Sequence, residues 1–196
     1  MLRFCILMIA VLAFSAAVSA QTTPQTHDEF VRAGQAEAQK GNFAGAAAWY
    51  SKAINVQKDD FDIIYARSGC YMVIGKYDDA LKDINTVLKG RPGNNQVLLM
   101  RANLYNAKTD WKKGLADAEA VLAADADLAD GYQTRGLAKA GLKKFAEAEA
   151  DLAEAIRRNP RNPMYYTVRA AIYEQQGKAG PSQADKLKAE SLKRGQ

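Results

Sequence analysis

The stretch YARSGCY, Tyr65 to Tyr71, sets a guanidinium inside a run that otherwise reads as a buried helix face. Two explanations compete: an anionic ligand, or a partner within the protein. Counting along the chain separates them. Arg101 in LMRANLY, Arg135 in YQTRGLA and Arg169 in YTVRAAIY each follow the previous arginine at one constant interval. An aspartate stands at a second fixed offset after each, giving Arg67 with Asp83, Arg101 with Asp117, Arg135 with Asp151 and Arg169 with Asp185. The preceding window has neither member and carries Ala33 and Trp49 instead. Joint presence and joint absence predict a physical pair across two antiparallel helices. An unpaired charge at such an inner position would be costly, and arginine–carboxylate geometry favours a partly buried, two-pronged contact. A row of arginines held open for an anion is the weaker reading, since each already has its counter-ion.

The same period orders the residues around the arginine. Residues 27–196 divide into windows 27–60, 61–94, 95–128, 129–162 and 163–196. Each of the first four carries two helical patterns separated by a short turn. Apolar residues of the second pattern recur at spacings of three and four, as in Tyr77, Ala80, Leu81, Ile84, Val87 and Leu88. Breakers fall between the patterns, at Gly41-Asn42 and Gly75-Lys76 within windows and at Arg91-Pro92-Gly93-Asn94 and Asn159-Pro160 between them.

On these residues the chain resembles the tetratricopeptide repeat family over all but its N-terminal portion. Window position 4 is large (Phe30, Ile64, Leu98, Tyr132, Tyr166) and position 8 is small (Gly34, Ser68, Ala102, Gly136, Ala170). Position 11 is aromatic at Tyr71, Tyr105 and Tyr173 but not at Glu37 or Lys139. Position 20 is Ala46, Ala80 and Ala148, with Gly114 as a departure. The resemblance implies an all-α fold, a right-handed superhelical solenoid of antiparallel helix pairs. The fifth window departs in its second half, with Gly180-Pro181 near the helix start and a thin apolar face. That suits a polar capping helix, whose outer face has no neighbour.

The resemblance also implies a concave peptide-binding groove lined by the first helix of each pair. Carried onto this chain, its residues are Gln35, Tyr65, Met72, Leu99, Asn103, Asn106, Gln133, Leu137, Thr167 and Glu174. Some relatives hold the acidic tails of heat-shock chaperones with Lys and Asn at groove positions of three successive repeats. Here those positions offer Val31, Tyr65, Leu99, Gln96, Met100 and Thr134 in place of most of them, so that clamp is absent.

The N-terminal stretch 1–20, MLRFCILMIAVLAFSAAVSA, reads as a secretory signal with a basic start at Arg3, an apolar run and small residues before a cleavage point after Ala20. The runner-up is an uncleaved anchor. Cleavage leaves a short lead, 21–26, no further candidate membrane span, and Cys70 alone of the 2 cysteines, so no internal disulfide can form. A periplasmic or secreted location follows. Without Arg3 the 27 basic side chains become 26 against 22 acidic, a mild and scattered excess that argues against a nucleic-acid partner.

No catalytic or cofactor pattern emerges. The single histidine, His27, has no evident carboxylate, Ser or Cys constellation, and CxxC, HExxH, GxxxxGK and GxGxxG are missing. GRPGNN is read as a turn between repeats, and Cys70, at a position otherwise filled by Ala, Leu or Ile, as a buried core residue. The expectation is a non-catalytic, exported scaffold that binds a protein or peptide partner, with no cofactor and no metal. The alternatives are a self-assembling module, which would be a homo-oligomer, and an accessory subunit of an envelope enzyme or transport complex.

Overall fold

The computed structural model describes residues 26–195. The candidate signal lies outside the described residues, as does the lead except for Thr26. Ten α-helices and no strand occur among the described residues: α1 (His27–Gln39), α2 (Phe43–Val56), α3 (Phe61–Val73), α4 (Tyr77–Gly90), α5 (Asn95–Ala107), α6 (Trp111–Ala124), α7 (Ala129–Gly141), α8 (Phe145–Arg158), α9 (Pro163–Gln175) and α10 (Ala179–Lys193). Consecutive helices pack as antiparallel pairs, and each pair packs on the next.

Local chemistry starts and stops these helices. Thr26 forms a capping box with Glu29 at the start of α1. Asn42, Asp60, Asn94 and Asn162 accept backbone N–H groups at the starts of α2, α3, α5 and α9. Asn94 belongs to GRPGNN, which is therefore a turn and a helix cap. Every first helix ends on a left-handed residue at window position 15. Glycine fills it at Gly41, Gly75 and Gly177, with φ between 71° and 78°, whereas Thr109 and Lys143 adopt φ of 60° and 61° against their preference.

Packing follows the repeat. Ala46, Ala80 and Ala148 at position 20 are fully buried, because the two helices of a pair cross there and leave room for one methyl. Ile64, Ala80, Ile84 and Val87 of the second pair form one cluster with Val97 and Leu104 of the third, so the buried core crosses from one pair to the next. Ile84 alone, fully buried, contributes about 1.5–3 kcal/mol. In α10 the buried residues are Ser182, Asp185 and Ala189, the thin apolar face of a terminal helix. Pro181 sits in its first turn, where no intrahelical N–H is lost.

The curvature has a direct structural sign. First helices touch one another in the C-terminal part of the row, α5 with α7 and α7 with α9, while successive second helices make no comparable contact. The first helices therefore form the inner, tighter side and the second helices splay outward.

Candidate functional site

All four arginine–aspartate pairs form, each through two guanidinium N–H groups. Nε and Nη2 donate to the two carboxylate oxygens at 2.8 and 2.6 Å for Arg67–Asp83, 2.7 and 2.8 Å for Arg101–Asp117, 3.0 and 2.6 Å for Arg135–Asp151, and 2.7 and 2.9 Å for Arg169–Asp185. The hydrogen bond to the aspartate holds each arginine above its already high ordinary pKa, so all four stay charged. A third contact reaches back into the preceding pair. Nη1 of Arg67 donates to Ser51 Oγ at 2.9 Å, and Nη1 of Arg101 to Asn85 Oδ1 at 3.1 Å. These arginines therefore stitch three helices together. Lys139, which replaces the aromatic at position 11, donates its own charge to Asp151 at 2.9 Å. None of this row is open for a ligand.

His27 corrects one expectation. Its ring lies between two carboxylates, Nδ1 at 3.1 Å from Asp28 and Nε2 at 3.1 Å from Asp60, which places the start of α1 beside the cap of α3. Asp60 escapes notice in the sequence because it lies in the loop before the next repeat. Among the described residues no group of three or more His, Cys, Asp or Glu side chains is placed to hold a metal. Cys70 is buried against Ala46, Ala47 and Tyr50, and that burial pushes its thiol up, away from the reactive thiolate.

What remains open is a concavity of about 530 Å³ on the inner side, across the second, third and fourth pairs. The structure brings Tyr65, Met72, Leu99 and Asn103 together in it. Joining them are Asn95, Gln96, Met100, Asp125, Leu128 and Asp130, none of which was on the expected groove set. Gln96 and Asp130 stand at the same window position, 2, in successive repeats. Asp125 and Leu128 come from the loop between α6 and α7, outside any first helix, so the pattern had no place for them. Ser68 Oγ donates to the backbone carbonyl of Tyr65 at 2.6 Å and lies 3.3 Å from the Met100 sulfur, which packs Met100 of α5 against α3. Burial pushes the Tyr65 phenol up, so it presents a neutral O–H.

Asn106 is not a groove residue. It is 2% exposed, and its Nδ2 donates to the Thr134 carbonyl at 3.0 Å. A methyl on Gly114 would meet the Asn106 Oδ1 at 2.1 Å, so the glycine at position 20 is the counterpart of the asparagine. Asn103 Oδ1 accepts from Thr134 Oγ1 at 2.9 Å, so the two asparagines together clasp α7 to α5. That leaves the amide nitrogen of Asn103 as its end for a ligand.

The other expected residues lie elsewhere. Gln133 is half-buried on α7 and is not among the residues lining the central concavity. Leu137 lines a second depression with Trp111, Phe145 and Gln175. Glu174 lines a third beside α10, where Lys186 pairs with it and draws its carboxyl below the usual range. Gln35 and Thr167 are exposed on α1 and α9.

A row of helix pairs with an open inner face defines an α-solenoid. A profile described as Tetratricopeptide repeat matches residues 7–63, 71–129 and 134–180, and the chain belongs to that family. Its members typically act as non-catalytic modules for protein–protein interaction. Among curated relatives, the Hsp70-Hsp90 organizing protein 1 of Glycine max is 26% identical over 74% of this chain and 32% of its own length. The heat shock protein STI1 of Saccharomyces cerevisiae is 29% identical over 69% of this chain and 25% of its own length. The chain thus spans about a third or less of these relatives. Among solved structures, MamA from Desulfovibrio magneticus RS-1 superposes with a TM-score of 0.72 at 20% identity, covering 88% of this chain and 98% of that one. A tetratricopeptide repeat protein from Parabacteroides merdae gives 0.75 at 22% identity, covering 85% and 65%. At these identities the solved structures speak for the fold alone.

Proposed function

We propose that this protein is an exported, non-catalytic scaffold that holds a protein or peptide partner in the central concavity. The carrying observation is the convergence of half-buried Tyr65, Met72, Leu99 and Met100 with the amides of Asn95, Gln96 and Asn103 on the inner side. Apolar side chains offer anchoring area, and amides can bond a peptide backbone. The partner differs from the one named in Hsp70-Hsp90 organizing proteins in its recognition chemistry, because no Lys or Arg lines the concavity to hold an acidic tail. Export rests on the sequence of residues 1–20, and N-terminal sequencing of the protein from cells tests it, with Gln21 the expected first residue.

The binding reading is tested by affinity capture with the protein, Tyr65→Ala, Leu99→Ala and Lys82→Ala in parallel. Lys82 is exposed on α4, an outer helix. A partner retained by the wild type and Lys82→Ala but lost from both groove variants supports the proposal. Partners retained equally by all four proteins contradict it.

A further inference from the structure

Charge in the central concavity runs against the charge of the chain. The protein carries a formal +5, yet the charged side chains lining the concavity are two aspartates, Asp125 and Asp130. Both residues are exposed. Neither is neutralised by a cation across the opening. Asp125 Oδ1 accepts only the backbone N–H of Asp127, at 3.0 Å, within its own loop, and Asp130 Oδ1 accepts the Tyr165 hydroxyl at 2.5 Å. Elsewhere on this side the carboxylates of Asp62 and Glu174 are taken up by Arg91 and Lys186. The unneutralised pair thus coincides with the apolar floor of Tyr65, Leu99 and Met100, and it does so in a chain rich in lysine.

From this we infer that the occupant of the concavity is a partner segment in which Lys or Arg lies next to a bulky apolar residue. The apolar side chain lies on Leu99 and Met100, the cation meets Asp125 and Asp130 on the rim, and Asn103 donates to the segment's backbone. The volume is that of a pocket able to enclose a few side chains, within the usual span of about 300–1,000 Å³. An acidic tail would meet like charge with no compensating cation, and a wholly apolar segment would leave the aspartates without a partner. This inference rests on the groove reading above and specifies its ligand.

The test is a selection of random dodecapeptides displayed on phage against the protein. Enriched peptides are then synthesised and titrated against wild type, Leu99→Ala, Lys82→Ala and the double variant Asp125→Asn with Asp130→Asn. Asparagine keeps an acceptor for Tyr165 and for the Asp127 N–H, so the double variant retains the local structure. The expected peptides pair Lys or Arg with Leu, Ile, Phe or Met. Their affinity should fall about three- to tenfold in the double Asn variant and about tenfold or more in Leu99→Ala, with Lys82→Ala unchanged. Salt should weaken their binding to the wild type more than to the double Asn variant. Peptides that need Leu99 but are acidic, or that ignore the two aspartates, overturn the charge preference and leave the groove reading standing. Peptides indifferent to Leu99→Ala, or no enrichment at all, overturn both.

Discussion

Arg101 grips Asp117 through two N–H groups and reaches Asn85 with a third, while its own side chain is 24% exposed and that of Asp117 13%. A pair this sheltered contributes through what its loss would strand. Arg101→Met should destabilise the fold by about 1–3 kcal/mol in urea denaturation, because Asp117 then stays half-buried without a cation. Adding Asp117→Leu should recover much of the loss, and strict additivity of the two single effects would contradict a direct contact. Tyr165 makes a second prediction, now in pH. Burial, together with its hydrogen bond to Asp130, pushes its phenol up to about 12 from an ordinary 10.0. The native state therefore keeps this proton longer than the unfolded chain does. The stabilisation is complete below pH 10 and is lost as pH rises through 12. Urea midpoints followed across that window should fall more steeply for the wild type than for Tyr165→Phe. At this scale the arginine pairs were legible because both members repeat with one offset. Their backward contacts were not, since the residues at that offset are Ser51, Asn85, Glu119 and Ala153, with no common chemistry to count.

Between helices, two departures from the repeat have physical counterparts. Gly114 replaces the usual alanine because Asn106 of α5 occupies the space of the missing methyl. Gly114→Ala should cost about 1–3 kcal/mol by overpacking. In an Asn106→Ala background the same change should become neutral or stabilising by up to about 1 kcal/mol, as alanine is the better helix residue. The sequence displayed both residues but not their encounter, and the groove pattern consequently counted Asn106, whose side chain is buried against α7 and the gap at Gly114. The other departure concerns the turns. Thr109 and Lys143 hold the left-handed conformation that glycine holds at Gly41, Gly75 and Gly177. Thr109→Gly should raise the thermal midpoint, by up to about 1 kcal/mol of stability after the entropy gained by the unfolded chain is subtracted. Gly75→Ala should lower it by a similar amount. Opposite signs for the two changes would confirm that backbone strain, not side-chain contact, distinguishes these turns.

Over the whole molecule, the constant repeat period was enough to imply helix pairs, their order and an inner face, because a repeat that cannot bury its own surface must stack on the next. The concavity was only half legible. Tyr65, Met72, Leu99 and Asn103 follow from position numbers along first helices. Asp125 and Leu128 enter from a connecting loop whose path no helical pattern describes, and with Asp130 they change the charge character of the site. The central claim is that the partner covers this inner face. Hydroxyl-radical footprinting of the protein with and without a selected peptide or a captured partner tests it most directly, since methionine and tyrosine side chains report their own exposure. Bound partner should slow oxidation of Tyr65, Met72 and Met100 several-fold while leaving Trp49 on α2 and Tyr77 on α4 unchanged. Unchanged oxidation of Met72 and Met100, with protection appearing on the outer helices or on exposed Leu187 of α10, would contradict the account.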